Sequence, residues 1–255
     1  MRLALTVEYE GTNYRGFQYQ TNAPSVQEEL EKAIQRFTGE SVRVKGAGRT
    51  DAGVHARAQV VAFDTATTHP KEAFLGALNR HLPDDIAVRK VHSVPDDFDP
   101  RRMAKSRRYA FTIDTGPVRS PLTRRTTHHI ARPLDVGKMR RAARHFVGRH
   151  DFARFAGPLE KADASTVREV TEAAVRRSGH GHTVTLEVEG GSFLPHQVRR
   201  MAGALVDVGQ GRLTPAELKS MVDGDEVDAV AHSLPPQGLC LVKIEYEDFV
   251  TEGDS

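Results

Sequence analysis

The feature that most constrains the fold is an order of secondary-structure elements that occurs twice along the chain. The first half reads as βαββαβ, from "RLALTVEY" at residues 2–9 to "DIAVRKVHSV" at residues 85–94. The second half repeats that order, from "RYAFTID" at residues 108–114 to "GLCLVKIEYE" at residues 238–247. The repetition predicts an α+β fold of two ferredoxin-like or RRM-like halves. We expect them to be joined into a mostly antiparallel sheet with helices on one face.

Hydrophobic spacing places the individual elements. Val42 and Val44 indicate a short strand, and two further strands are predicted at residues 167–177 and 183–190. Helical spacing occurs in three stripes: Val26, Leu30, Ala33, Ile34 and Phe37; Met139, Ala142, Ala143, Phe146 and Val147; and Val198, Met201, Leu205 and Val208. We therefore expect an N-terminal half at residues 1–104, a C-terminal half at residues 105–249 and a frayed tail at residues 250–255.

The composition is that of a globular protein. Of its 255 residues, 38% are hydrophobic and 27% are charged, and no apolar run approaches the ~20 residues of a membrane helix. The start of the chain alternates and carries Glu8 and Glu10, which a signal peptide does not. Cys240 is the single cysteine and lies in an apolar run, so it predicts a buried small side chain. These features favour a reducing cytoplasm and no membrane association.

Basic residues are concentrated in one segment. Residues 101–149 contain fourteen Lys and Arg but only two acids, whereas the remaining 206 residues carry 22 bases and 32 acids. The net charge of +2 hides this separation. A solvated charge run is the simpler explanation, but a surplus that spans a strand and a helix favours a surface that binds a polyanion.

The loop "GAGRTDAGVHARAQVVAF" at residues 46–63 is open to several interpretations. A phosphate-binding P-loop needs a Lys-Ser/Thr pair and a following helix, and this loop has neither. A tight turn explains the glycines but not Arg49 and Asp51. An ion pair between these two side chains remains possible, as does a catalytic carboxylate.

Other chemistries find little support. The chain has no His-Glu-x-x-His motif, no cysteine pair and no Gly-x-Ser-x-Gly elbow, so no metal, zinc-protease or serine-hydrolase site is expected. A two-metal nuclease would place several acids near the basic segment, which has only two. A tyrosine after two arginines, as in Arg107-Arg108-Tyr109, suits single-stranded RNA, although a core aromatic explains Tyr109 equally well. A non-catalytic RNA-binding protein therefore stays an alternative.

These motifs together resemble the TruA family of tRNA pseudouridine synthases. "GRTDAGVHARAQ" at residues 48–59 is similar to the signature loop of the family, and "YEGTNYRGFQYQ" to its opening motif. "SRRYAFTI", "HDFARF", "GGSFLPHQVRRMAGALVDVG" and "LPPQGLCLVKIEY" follow in the order of the family. The departures are mild: Phe17 replaces a frequent tryptophan, and "HQVR" replaces His-Met-Val-Arg.

The resemblance implies the pseudouridine synthase fold and isomerisation of uridine in the tRNA anticodon arm, at positions 38–40 in the family. It implies that Asp51 is the catalytic residue, that Tyr109 packs on the target base and that Arg49 helps displace that base. Arg199 matches a helix arginine near the aspartate. Arg107 and Arg108 are expected to contact tRNA with the rest of the basic segment. The family needs no cofactor or metal and works as a homodimer.

Overall fold

The computed structural model describes residues 1–159, 161, 163–178, 181–224, 231–247 and 250–252. Its strands are β1 (Arg2–Tyr9), β2 (Lys45–Gly46), β3 (His55–Asp64), β4 (Ile86–Val94), β5 (Ser106–Asp114), β6 (His128–His129), β7 (Gly148–Asp151), β8 (Val167–Arg177), β9 (Thr183–Gly190), β10 (Leu239–Glu245) and β11 (Val250–Glu252). Its helices are α1 (Val26–Thr38), α2 (Lys71–His81), α3 (Val136–Ala143), α4 (Gln197–Gly209) and α5 (Pro215–Asp223). The chain forms two compact units: Met1–Lys105 with the chain from Cys240 onward, and Ser106–Leu239.

The first unit contains the predicted βαββαβ order. Its strands lie in the order β4-β1-β3, with β2 antiparallel to β3, which is the ferredoxin-like arrangement. Both β3 and β4 pair antiparallel with β1. Because β1 is central, nearly all of its side chains are buried rather than one alternating face.

The helices of the first unit pack through aromatic side chains. The N terminus of α1 is capped by Ser25, whose Oγ accepts from the Glu28 N–H at 3.3 Å. Phe74 on α2 is fully buried and lies edge-on to Phe37 of α1, with ring centroids 5.1 Å apart. Its ring also lies 6.1 Å from that of Phe63 on β3. This contact ties both helices to the sheet.

The second unit is also α+β, with strands in the order β5-β9-β8-β7. These strands are antiparallel, and β6 adds a short parallel pair beside β5. The bounds of β8 and β9 are those predicted from the sequence. The predicted stripe on α4 is buried, and α4 packs against α3. The α+β class and its mostly antiparallel pairing are therefore confirmed in each unit.

The short strand predicted at Val42 and Val44 is wrong. Residues 41–44 form no ladder, and β2 begins one residue later at Lys45. The backbone of Val44 is instead bonded by α1: its N–H donates to Glu31 Oε1 at 3.1 Å, and its C=O accepts from Gln27 Nε2 at 3.2 Å. These side chains satisfy the groups that a neighbouring strand would need.

The end of the chain also differs from the expectation. We predicted the closing strand to be part of the second half, but Cys240 and Leu241 of β10 pair in parallel with β3 and belong to the first unit. Val250–Glu252, predicted to fray, form β11 and pair with β10. The rest of the predicted tail, residues 253–255, lies outside the described residues.

One member of the α3 stripe is not in the core. Val147 is 43% exposed because the chain tightens into a 3₁₀ turn at Arg144–Phe146, which ends the helical period. In the part of the chain that the structure describes, no helix is long and apolar enough to cross a membrane.

Candidate active site

Asp51 lies on a short, heavily hydrogen-bonded loop between β2 and β3. We call residues 46–54 the aspartate loop. At its start, the Ala47 N–H donates to Val60 C=O at 2.8 Å, and Gln59 Nε2 donates to Gly48 C=O at 2.8 Å. At its end, the Val54 N–H donates to the C=O of Asp51 itself at 3.1 Å. Asp51 is half-buried and Arg49 is exposed, so the loop holds a carboxylate at its surface in a fixed backbone.

Residues 10–25, between β1 and α1, pack directly on the aspartate loop and are called the supporting loop. The Phe17 N–H donates to Thr50 C=O at 3.1 Å, and the Gly53 N–H donates to Tyr14 C=O at 3.2 Å. Gly16 has φ of +100°, and a Cβ added there would lie 2.7 Å from the Thr50 oxygen. Only glycine allows this approach. Backbone groups on both sides of Asp51 are therefore fixed by the tyrosine-rich stretch near the N terminus.

Side chains from the end of β1 and the start of β3 complete this support. The hydroxyl oxygen of Tyr9 lies 2.7 Å from Thr50 Oγ1, and both residues are buried. The Gly11 N–H donates to Nδ1 of the buried His55 at 3.0 Å, so Nδ1 carries no proton. A Cβ on Gly11 would lie 2.0 Å from the Val54 oxygen. The aspartate loop is thus held by a tightly packed shell.

Tyr14 also ties the supporting loop to the start of β4. Its hydroxyl donates to Oδ1 of Asp85, the residue directly before that strand, at 2.5 Å. Burial, and then the hydrogen bond to Asp85, raises the pKa of Tyr14 well above its ordinary value. The hydroxyl therefore stays protonated and remains a donor over the physiological pH range.

Tyr109, in the second unit, lies on the inner face of β5. Residues 107, 109, 111 and 113 alternate as buried positions along this strand. Tyr109 is 9% exposed as a residue, and its ring lies edge-on to that of Phe193, with ring centroids 5.3 Å apart and planes at 87°. Phe193 itself is half-buried. We call Tyr109 and Phe193 the aromatic corner; nucleotide bases stack favourably on aromatic rings of this kind.

Arg107 and Arg108 make contacts within the second unit. Arg107 is buried, and its Nη1 donates to Gly191 C=O at 2.5 Å. Arg108 Nε donates to Glu189 Oε2 at 2.7 Å, and its Nη2 lies 3.0 Å from Glu172 Oε2. The hydrogen bond to Glu189 raises the pKa of Arg108. Arg107 is therefore buried, and Arg108 is paired with two carboxylates.

Arg199 lies in the first turn of α4. Its Nε donates to Leu234 C=O at 2.8 Å, and the Leu234 N–H returns a bond to Arg199 C=O at 3.3 Å. The helix follows His196, the one non-glycine residue with positive φ among those described, at 59°. The start of α4 is therefore bonded to the segment at Leu234 through both the side chain and the backbone of Arg199.

Most of the basic segment is exposed. Apart from Arg107 and Arg108, all of the fourteen Lys and Arg between residues 101 and 149 have exposed side chains. They include Arg119, Arg124, Arg125, Arg140 and Arg141. Among the described residues, no group of three His, Cys, Asp or Glu side chains is placed to hold a metal ion.

Sequence reasoning missed Thr50 and Phe193 as parts of the site. Thr50 lies inside the motif at residues 48–59 and Phe193 inside the motif at residues 190–209, but neither residue type indicates a chemical role there. The only signal was position: Thr50 immediately precedes Asp51, and Phe193 follows a glycine pair at the end of a predicted strand.

Comparison with known proteins identifies the family. Residues 5–101 and 142–247 match the family model described as tRNA pseudouridine synthase. The chain belongs to this family. It is 43% identical over 244 residues to tRNA pseudouridine synthase A of Pelobacter propionicus, covering 96% of this chain and 99% of that protein. For the Myxococcus xanthus protein of that name, identity is 44% over 247 residues, covering 97% and 92%. For that of Geobacter sulfurreducens it is 45% over 246 residues, covering 96% and 99%.

The family match covers the candidate residues unequally. Arg49 and Asp51 lie in the first matched segment and Arg199 in the second. Arg107, Arg108 and Tyr109 fall between the two segments of the family model, although the relatives named above cover nearly the whole chain.

Proposed function

We propose that this protein isomerises uridine to pseudouridine in tRNA, in the anticodon arm, with Asp51 as its catalytic residue. The observation that carries the proposal is the aspartate loop: a member of the tRNA pseudouridine synthase family holds one half-buried carboxylate in a backbone fixed on both sides. Rigid placement is what a single catalytic group requires.

The reaction is an internal rearrangement of one nucleotide. The C1′–N1 bond breaks, the uracil turns, a C1′–C5 bond forms, and the proton on C5 is lost while N1 gains one. Nothing is oxidised or reduced, and no group donor is consumed. The carboxylate of Asp51 attacks the sugar or the base, or takes a sugar proton as the glycosidic bond breaks. Each role needs a charged oxygen beside C1′.

The target base must leave the helical stack before C1′ is accessible. Opening a stack costs a few kcal/mol, and stacking on an aromatic ring recovers roughly 1–3 kcal/mol. Tyr109 supplies that ring, and Phe193 holds its edge. Arg49, which is exposed, fills the vacated space or binds a neighbouring phosphate, and Arg199 stabilises negative charge near the reacting nucleotide.

The exposed arginines of residues 101–149 bind the tRNA backbone, and the phosphate contacts set its register. Arg107 and Arg108 act from within the unit: the first holds the Gly191 backbone beside Phe193, and the second crosslinks β5 to β9 and β8. Cytoplasmic location and a homodimer are part of this proposal and rest on the resemblance to the family. Sedimentation of the purified protein tests the dimer.

Pseudouridine mapping tests the proposal. Unmodified tRNA is incubated with purified protein in buffer containing EDTA, and pseudouridines are located by chemical labelling and primer extension. We expect new pseudouridines confined to the anticodon arm. Tight tRNA binding without any pseudouridine would instead indicate a binding protein. Shortened RNA in a parallel incubation with Mg²⁺ and no EDTA, absent when EDTA is present, would indicate a metal-dependent nuclease.

A further inference from the structure

One loop of the second unit exposes large apolar side chains among arginines. Residues 115–127, which connect β5 to β6, are called the basic loop. Leu122 is 95% exposed and Val118 is 77% exposed, the two highest values among the large hydrophobic side chains that the structure describes. Nothing in the chemistry of the aspartate loop uses them.

The basic loop is anchored at its base. The N–H and Oγ1 of Thr115 both donate to His182 C=O, at 2.7 and 2.6 Å. The Gly116 N–H donates to Asp114 Oδ1 at 2.9 Å, and Gly116 C=O lies 2.8 Å from His129 Nε2. The loop therefore leaves and rejoins the sheet at fixed points.

The tip of the basic loop is also bonded internally. The C=O of Thr123 accepts from the Thr126 and Thr127 N–H groups at 2.9 and 3.0 Å. Arg124 Nη1 donates to Pro121 C=O at 2.8 Å. A loop that is ordered in this way presents Leu122 in a defined direction, so binding of a partner carries a smaller entropic cost of ordering the loop.

The charge around these apolar side chains has one sign. Residues 115–134 contain no Asp or Glu, and their four arginines are all exposed: Arg119, Arg124, Arg125 and Arg132. An apolar residue flanked by arginines matches the surface of folded RNA, where phosphates alternate with ribose and base edges. A two-fold contact of the loop with its own copy would bring arginine against arginine, which disfavours that occupant.

We propose that the basic loop docks on tRNA outside the target nucleotide, with Leu122 and Val118 against ribose and base edges and the arginines on phosphates. This rests on the proposed function and goes beyond it by assigning the two exposed apolar side chains of the loop, Leu122 and Val118, to contacts with tRNA. Tyr109 lies five residues before Asp114 on β5, which at the rise of a strand is about 17 Å. The loop therefore contacts nucleotides other than the one that stacks on Tyr109, and it contributes to KM rather than kcat.

The test compares Leu122→Ser with Leu75→Ser, an exposed leucine on α2 in the first unit. Equilibrium binding of unmodified tRNA is measured by fluorescence anisotropy, and pseudouridine formation by initial rates. We expect Leu122→Ser to bind tRNA about tenfold more weakly and to raise KM with kcat unchanged, as for loss of an apolar contact. Leu75→Ser should bind as the wild type does.

The arginines are tested by the salt dependence of binding. Arg124→Gln should lower the slope of log K against log salt by about one, whereas Arg80→Gln on α2 should not change it. Leu122→Ser should weaken binding without changing the slope. Wild-type affinity for Leu122→Ser, or an equal loss in Leu75→Ser, overturns the proposal.

Two further outcomes separate this proposal from others. If Leu122→Ser changes the sedimentation coefficient of the protein, the basic loop is an interface between copies and the proposal is wrong. If the wild-type protein binds tRNA but forms no pseudouridine, the proposed function fails, while the binding comparison still decides the role of the loop.

Discussion

The hydroxyl oxygen of Tyr9 lies 2.7 Å from Oγ1 of Thr50, and Thr50 is the residue directly before Asp51. This buried contact joins the end of β1 to the aspartate loop across 41 residues of sequence. The Thr50 C=O also accepts from the Phe17 N–H. The side-chain hydroxyl and the backbone carbonyl of Thr50 are therefore both hydrogen-bonded to residues near the N terminus. The position of the carboxylate therefore depends on residues outside the aspartate loop.

Removing the Tyr9 hydroxyl should reduce activity. Tyr9→Phe leaves Thr50 Oγ1 buried without this partner, which costs about 1–3 kcal/mol of unfolding free energy. Release of the loop should lower kcat by on the order of ten- to a hundredfold. Urea unfolding and single-turnover pseudouridine formation measure the two effects.

Tyr246→Phe is the matched control. Tyr246 is equally buried in the first unit, and its hydroxyl donates to Pro100 C=O at 2.8 Å. This variant should lose comparable stability and keep its kcat. If both variants lose the same fraction of activity, the Tyr9 contact has no positioning role.

The close approach at Gly16 gives a second prediction. Gly16→Ala places a Cβ 2.7 Å from the Thr50 oxygen at a φ of +100°, so the supporting loop must move away from the aspartate loop. We expect a loss of more than about 2 kcal/mol of stability and of most activity. Gly39 has a similar φ of +78° with nothing within 4 Å of an added Cβ. Gly39→Ala should cost about 1–2 kcal/mol and leave kcat intact; an active Gly16→Ala enzyme would contradict the account.

The aromatic corner gives a third prediction. Phe193→Ala removes the edge-on partner of Tyr109, worth about 0.5–1.5 kcal/mol, so kcat/KM for tRNA should fall about two- to tenfold. Phe37→Ala removes a comparable edge-on contact with Phe74, at 5.1 Å and 86°, in the first unit. That control should lower stability without lowering kcat/KM on the remaining folded protein. Equal kinetic losses would remove Phe193 from the site.

Much of this fold is predictable because hydrophobic residues recur at regular strand or helix spacing along the sequence. β8 and β9 match their predicted bounds because alternation and flanking turns agree there. β2 was misplaced because side chains of α1, Gln27 and Glu31, satisfy the backbone of Val44. The partner of β10 was also hidden from sequence, since strand pairing with β3 depends on contacts about 185 residues apart.

The candidate site was predictable only in part. Asp51 stood out because a motif surrounds it, and Tyr109 because two arginines precede it. Burial of Arg107 could not be read from the sequence, since its alternation with Tyr109 fits an inner face and an outer face equally well. The partners of Arg108, Glu172 and Glu189, come from two other strands and give no local signal.

Acid sensitivity gives a fourth prediction. Burial, aided by the charges of Lys90 and Lys71, lowers the pKa of His92 below its ordinary value. At a pH between the ordinary histidine pKa of about 6.5 and the lower pKa in the folded protein, His92 is protonated in the unfolded chain but neutral in the folded one. The free energy of unfolding therefore falls as the pH drops below about 6.5. His92→Gln should reduce this loss in urea unfolding between about pH 7.5 and about pH 5. An unchanged profile for His92→Gln would contradict the prediction.

The central claim is that Asp51 carries the chemistry, and tritium release tests it most directly. Unmodified tRNA labelled with tritium at uridine C5 is mixed with wild-type protein or with Asp51→Asn in the presence of EDTA. Formation of the C1′–C5 bond expels the label into water, so the wild type should release it. Asp51→Asn should bind the same tRNA and release at least about a thousandfold less tritium per minute. Release at the wild-type rate by Asp51→Asn would show that another group performs the reaction.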